Sequence, residues 1–114
     1  MYEEGRGVEQ DYAETVKLYK LAAEQGDAVA QFHFAYMYEE GRGAAQDYAE
    51  AAKWYQLSAE QGDAVAQYNL AKMYAEGRGV VKNESEAVKW YQMSAEQGDE
   101  DAQAALAAMK KIRK

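Results

Sequence analysis

An all-α solenoid, built by stacking helix–turn–helix repeats 36 residues long, is the fold class this sequence predicts. Three observations carry it. The chain matches itself at an offset of 36, its apolar residues step by 4, 3 and 4, and every glycine falls at a registered break between such stretches. Gly5, Gly41 and Gly77 align, as do Gly7, Gly43 and Gly79, and then Gly26, Gly62 and Gly98, which accounts for all nine. Residues 27–62 laid on 63–98 agree at 23 of 36 positions without a gap, far beyond chance. The 114 residues therefore read as one domain, 1–114. It contains the C-terminal half of a repeat (1–26), two whole repeats (27–62 and 63–98) and a capping helix (99–114).

Taken in chain order, Met1-Tyr2 registers with Met37-Tyr38, so the chain opens in the last turn of a first helix. After Gly-Arg-Gly, the second helix of each copy is expected to start at Asp11, Asp47 or Asn83. Glu14, Glu50 and Glu86 follow three residues later, the spacing of a capping box. Its apolar stripe runs Tyr48, Ala52, Tyr55, Ala59, and Gly62 closes it. Residues 11–25 have no first helix of their own copy before them. They are expected to expose part of a stripe from Tyr12, Val16 and Tyr19, a route to weak self-association through the uncovered N-terminal helix. First helices start at Asp27, Asp63 and Asp99, whose short carboxylates suit an N-cap. Ala30, Phe34, Met37 and Tyr38, repeated as Ala66, Leu70, Met73 and Tyr74, form their inner face, and Gly41 or Gly77 ends them in a left-handed conformation. The last helix is expected to make contact through Ala104, Ala105 and Ala108 and to end in Lys110, Lys111, Arg113 and Lys114, cations suited to a helix C-terminus.

Composition excludes several functions. With 20 acidic and 13 basic residues the formal charge is -7, the wrong sign for a phosphate-binding surface, so no nucleic acid is expected. No apolar run reaches membrane-spanning length and no signal peptide is visible, so no membrane is expected as a partner. The absence of cysteine removes disulfides and zinc fingers. The Gly-Arg-Gly triplets lie between helices and lack the flanks of a phosphate loop, so they read as turns. His33 is the sole histidine, and a metal would need further ligands converging on it. Ser58 and Ser94 register with Ala22, which reads as packing, and Ser85 has no catalytic neighbour pattern. Adjacent carboxylates such as Glu39 and Glu40 point in different directions. No enzyme, no metal and no cofactor follow from these residues.

The string Ala-Gln-x-x-Leu-Ala-x-Met-Tyr-x-x-Gly-x-Gly-Val at 66–80, followed by Glu-Ala-x-Lys-Trp-Tyr-x-x-Ser-Ala-Glu-Gln-Gly at 86–98, resembles a Sel1-like repeat, a relative of the tetratricopeptide repeat. The resemblance covers essentially the whole chain. It implies a right-handed α/α superhelix whose first helices line a concave surface, and a role as an adaptor scaffold in protein complexes. It also implies a bacterial setting, cytoplasm or periplasm, and the absence of cysteine sets this chain apart from the disulfide-stapled, secreted branch.

Within that frame, identical positions mostly serve turns, caps and packing, and the differing positions of the first helix, with the unchanged Val29/Val65 and Glu40/Glu76 that step by 3 or 4 beside them, mark a candidate partner-binding face. It comprises Val29, Phe32, His33, Tyr36, Glu39 and Glu40 in one copy, and Val65, Tyr68, Asn69, Lys72 and Glu76 in the next. Phe32, Tyr36 and Tyr68 are the expected aromatic anchors for an extended peptide or partner helix. The bland reading is that differing positions are merely exposed ones. The alternatives in function are an accessory domain of a larger or secreted, hydrolase-like or cell-wall-compound-binding protein, and a truncated or engineered scaffold with no specific ligand.

Overall fold

In the computed structural model, residues 4–42 and 45–113 are described, with side chains for 14–42 and 45–109. Six helices follow one another: α1 (Glu4–Glu24), α2 (Ala28–Glu40), α3 (Tyr48–Glu60), α4 (Ala64–Glu76), α5 (Glu84–Glu96) and α6 (Glu100–Arg113). Each packs on the next in chain order, and the chain measures 55 × 27 × 26 Å. No strand occurs among the described residues, and no helix there is long and apolar enough to cross a membrane. The molecule is an all-α solenoid of helical repeats.

The expected signals set most boundaries. The carboxylates of Asp27, Asp63 and Asp99 accept from the N–H of Ala30, Ala66 and Ala102 at 3.1, 2.9 and 3.1 Å. Asp47 and Asn83 accept likewise from the N–H of Glu50 and Glu86. Gly41 and Gly77 take φ of 74° and 70°, and Met37 and Met73 carbonyls accept their N–H groups and those of Arg42 and Arg78. Gly79 carries a second constraint: a Cβ there would collide with the Tyr48 carbonyl at the start of α3, so the loop of one copy rests directly on the helix of the copy before.

The structure corrects the reading in three places. First, α1 runs unbroken from Glu4 through Gly5, Gly7 and Asp11, so Asp11 caps nothing and the first Gly-Arg-Gly is helical. In the later copies that loop is tied to the preceding first helix, whose Tyr38 and Tyr74 carbonyls accept from Asp47 N–H and Asn83 N–H at 2.9 Å. Before Asp11 the described backbone is itself part of α1, whose i→i−4 bonds satisfy it. Second, these same bonds occupy the cap N–H groups, so Glu50 and Glu86 do not close a capping box. Their carboxylates accept from Trp54 Nε1 and Trp90 Nε1 and pair with Lys53 and Lys89. Third, Ala104 and Ala108 are exposed; Ala102 is buried, with Ala105, Leu106 and Met109 packed beside it. The cap at Asp99 puts Ala102 and Leu106 where Ala66 and Leu70 lie one repeat earlier. On α1, Val16 and Tyr19 are half-buried against α2, Tyr12 lies outside the described side chains, and the exposed apolar residues are Leu18 and Leu21.

The core is assembled between neighbours. Tyr55, Leu70, Met73, Trp90 and Tyr91 are its large members, set among alanines at positions 51, 52, 66, 71 and 87. Tyr55 is fully buried and its hydroxyl donates to Glu39 at 2.7 Å. Burial, followed by the Glu39 hydrogen bond and charge, pushes that phenol far above its ordinary pKa. Burial pushes Tyr91 up to about 12.

A polar ladder crosses this core. Gln31 and Gln67 are almost wholly buried, 4% and 1% exposed. Gln31 donates to the Ala23 carbonyl at the end of α1 and accepts from Gln61 at 2.9 Å, and Gln61 also donates to the Gly26 carbonyl. One repeat on, Gln67 donates to Ala59 O and accepts from Gln97 at 3.0 Å, and Gln97 reaches Gly62 O. Ser58 and Ser94 Oγ donate to Ala28 O and Ala64 O at 2.7 and 2.8 Å. Among the described residues no buried side-chain polar atom lacks a partner.

Gln67→Ala is expected to cost about 2–4 kcal/mol, because it removes two hydrogen bonds and empties the volume of a buried side chain. Gln103→Ala, at the exposed rung to Ala95 O, is expected to cost less than about 1 kcal/mol. Gly62→Ala, at positive φ in open space, is expected to cost about 1–2 kcal/mol, and Gly79→Ala more, because it adds the collision. Urea unfolding of the four variants reads all of these differences. Stability should also depend on alkaline pH. Tyr55 and Tyr91 bind their protons more tightly folded than unfolded, so their contribution is intact below about pH 10, the ordinary tyrosine value, and is lost as pH rises above it. The melting temperature should fall above that pH, and Tyr55→Phe, although less stable at neutral pH, should show a shallower fall.

Candidate functional site

The candidate face lies on α2 and α4, whose inner stripes are held by the core. Ala30, Phe34 and Met37 on α2, and Ala66, Leu70 and Met73 on α4, are buried, which fixes the rotation of each helix about its axis. The candidate residues then fall to the side and outward. Val29, Tyr36, Glu40, Val65 and Glu76 are exposed, Tyr36 to 42%. Phe32, His33, Glu39, Tyr68, Asn69 and Lys72 are half-buried.

An aromatic run connects them. Tyr19 of α1 stacks on His33 at 5.0 Å, His33 meets Phe32 edge-on at 5.1 Å, and Phe32 lies 6.4 Å from Tyr36. The inner sides of two of the three expected anchors are already engaged, since Phe32 tilts against Tyr55 at 5.8 Å and Tyr68 against Tyr91 at 5.7 Å. Tyr36 is the ring with the most free surface. Lys72, its counterpart in the next copy, sets its ammonium 5.7 Å from the Tyr68 ring. Glu39 has work inside the protein, because it accepts from the Tyr55 hydroxyl, and Asn69 acts on that same phenol by lowering its pKa. Glu76 pairs with Arg78 at 3.8 Å, and the Arg78 guanidinium covers the Tyr48 ring at 4.9 Å. The Gly-Arg-Gly at 77–79 is thus a packed turn. His33 sits between two aromatic rings, and among the described residues no group of three His, Cys, Asp or Glu could hold a metal. Chemically, this face offers apolar and aromatic contact with a few charges.

One feature escaped the reading of the sequence. A cleft of about 570 Å³ opens beside α3, lined by Ala52, Lys53, Leu57 and Glu60 on the helix and by Gly79 and Val80 from the following loop. It forms only when one copy's loop folds back on the previous copy's helix, so periodicity within a copy does not show it. The available signal was the recurrence of Lys, an apolar residue and Glu at positions 53, 57 and 60 and their equivalents.

Comparison with known proteins agrees with this architecture. The family model described as Sel1 repeat matches residues 1–27, 28–63 and 64–99. A Sel1 repeat protein from Oxalobacter formigenes is 43% identical with a TM-score of 0.78, covering 80% of this chain and 37% of its own. A protective antigen present in uropathogenic Escherichia coli strains and displaying an SLR fold is 42% identical with a TM-score of 0.86, covering 93% of this chain and 23% of its own. The Helicobacter pylori cysteine rich protein B is 28% identical with a TM-score of 0.76, covering 80% of this chain and 68% of its own. No curated protein matches the chain. The chain thus spans about a third and a quarter of the length of the first two structures. Sel1 repeat proteins are generally protein-interaction scaffolds and typically non-catalytic. With three consecutive repeat matches and six helices stacked in their order, the chain belongs to the Sel1 repeat family.

Proposed function

We propose that this chain is a non-catalytic interaction module that takes a protein or peptide partner on the concave face lined by α2 and α4. The observation that carries the reading is the exposure of Tyr36 beside Val29 and the half-covered rings of Phe32 and His33, with Val65, Tyr68 and Lys72 repeating the pattern one copy on. Aromatic side chains held on their inner sides and open on their outer sides lose little entropy when a partner covers them. The remaining candidate positions divide by role. Glu40 offers a carboxylate at the rim, whereas Glu39, Asn69 and Glu76 act on their neighbours inside the protein. In a longer protein, such as the structures it resembles, this face would be one stretch of an extended groove.

Tyr36→Ala and Lys72→Glu test the face without touching the core. Immobilised wild-type chain is expected to retain a specific protein or peptide from a lysate of its host. Each variant should weaken that capture about tenfold or more with unchanged helical circular dichroism. Capture that is unaltered by both substitutions would place the site elsewhere.

A further inference from the structure

The helices α1, α3 and α5 repeat one triplet: Lys17, Leu21, Glu24; then Lys53, Leu57, Glu60; then Lys89, Met93, Glu96. Steps of four and three residues set each triplet along a single helical face. All of these side chains are exposed, and those of α3 line the same cleft. Stacked repeats therefore present a row of ammonium groups, an apolar row in the middle and a row of carboxylates. The outer rows lie about 10 Å apart along each helix. Val81 in the adjoining loop adds an apolar side chain that is 86% exposed.

This order of charges is self-complementary. If a second copy is turned by half a revolution about the stacking direction and laid face to face, every helix meets its own counterpart running the other way. Lys53 then faces the second copy's Glu60, Leu57 faces Leu57, and the α1 and α5 triplets pair in the same manner. We propose that this face is an isologous interface between two copies of this chain, distinct from the α2/α4 surface. A second copy is favoured over an unrelated partner because it carries the three triplets at the matching repeat spacing by construction. The chain's charge of -7 opposes indiscriminate self-association, so the pairing has to be directional. The apolar row supplies affinity, and the exposed charge rows select orientation. Inside one copy, the ion pairs of Lys53 and Lys89 are with Glu50 and Glu86, at 3.8 and 3.7 Å on exposed surface, contacts that exchange readily for an intermolecular carboxylate.

Sedimentation equilibrium of the full chain, up to millimolar concentration at low salt, is expected to show a reversible monomer–dimer equilibrium. Glu60→Lys is the decisive variant. It makes the chain less negative, so general repulsion would decrease and association would strengthen. The proposed pairing instead sets the introduced ammonium against that of Lys53 and weakens dimerisation about tenfold. Lys53→Glu should weaken it similarly. The swap Lys53→Glu with Glu60→Lys keeps the net charge, restores opposite signs across the interface and should recover the wild-type constant. Circular dichroism confirms that each variant is folded. A strict monomer throughout, a dimer strengthened by Glu60→Lys, or a dimer indifferent to the swap series would overturn the proposal.

Discussion

A buried amide that has to be satisfied on both its ends fixes how each repeat sits on the one before. Gln31 and Gln67 donate to the carbonyl that ends the previous second helix, and accept from the glutamine that ends their own. Apolar contact between alanine-lined helices is tolerant of sliding, because one methyl is much like another. The amide is not tolerant. A shift of a single residue would leave the buried Gln67 side chain without the Ala59 carbonyl and Gln97 partners it has here. The same register then sets everything outward of it, from the positive-φ glycines at 26, 62 and 98 to the aspartates that begin the next helix.

Two consequences connect this junction to the surface. Since the ladder and the caps fix where each first helix starts, and the core fixes its rotation, the side chains left over on α2 and α4 are determined within one turn. Tyr36 is free because Phe34 and Met37 beside it are not. Since the loops of successive copies lie on the preceding second helix, as Gly79 does on Tyr48, those helices also acquire a shaped outer face with its own cleft. One packing rule therefore yields two unlike surfaces, an aromatic one on the first helices and a charge-ordered one on the second.

The sequence made the repeat, the helix pairs and the inner stripes legible, because those depend on spacing alone. Asp27, Asp63, Gly41 and Gly77 all do locally what their chemistry suggests. What it concealed depends on partners from elsewhere in the chain. The Gly-Arg-Gly at 5–7 is as good a loop signal as those at 41–43 and 77–79, yet α1 is continuous there, while the loops of the two later copies are tied to carbonyls of the preceding first helix. The glutamines at 31 and 67 stand in the sequence as a polar letter repeated without change, and a repeated polar letter on an apolar face is the sign of a buried hydrogen bond. On the candidate face, differing letters did not mean full exposure: Phe32 and Tyr68 have one side in the core.

Hydrogen exchange of the side-chain amides, followed by NMR, examines the junction most directly. If the ladder holds the register, the Nε2 protons of Gln31 and Gln67 exchange only when the array opens, far more slowly than those of exposed Gln92. Exchange of Gln67 at the rate of Gln92 would mean that the amide is not held, and that alanine packing alone positions one repeat on the next.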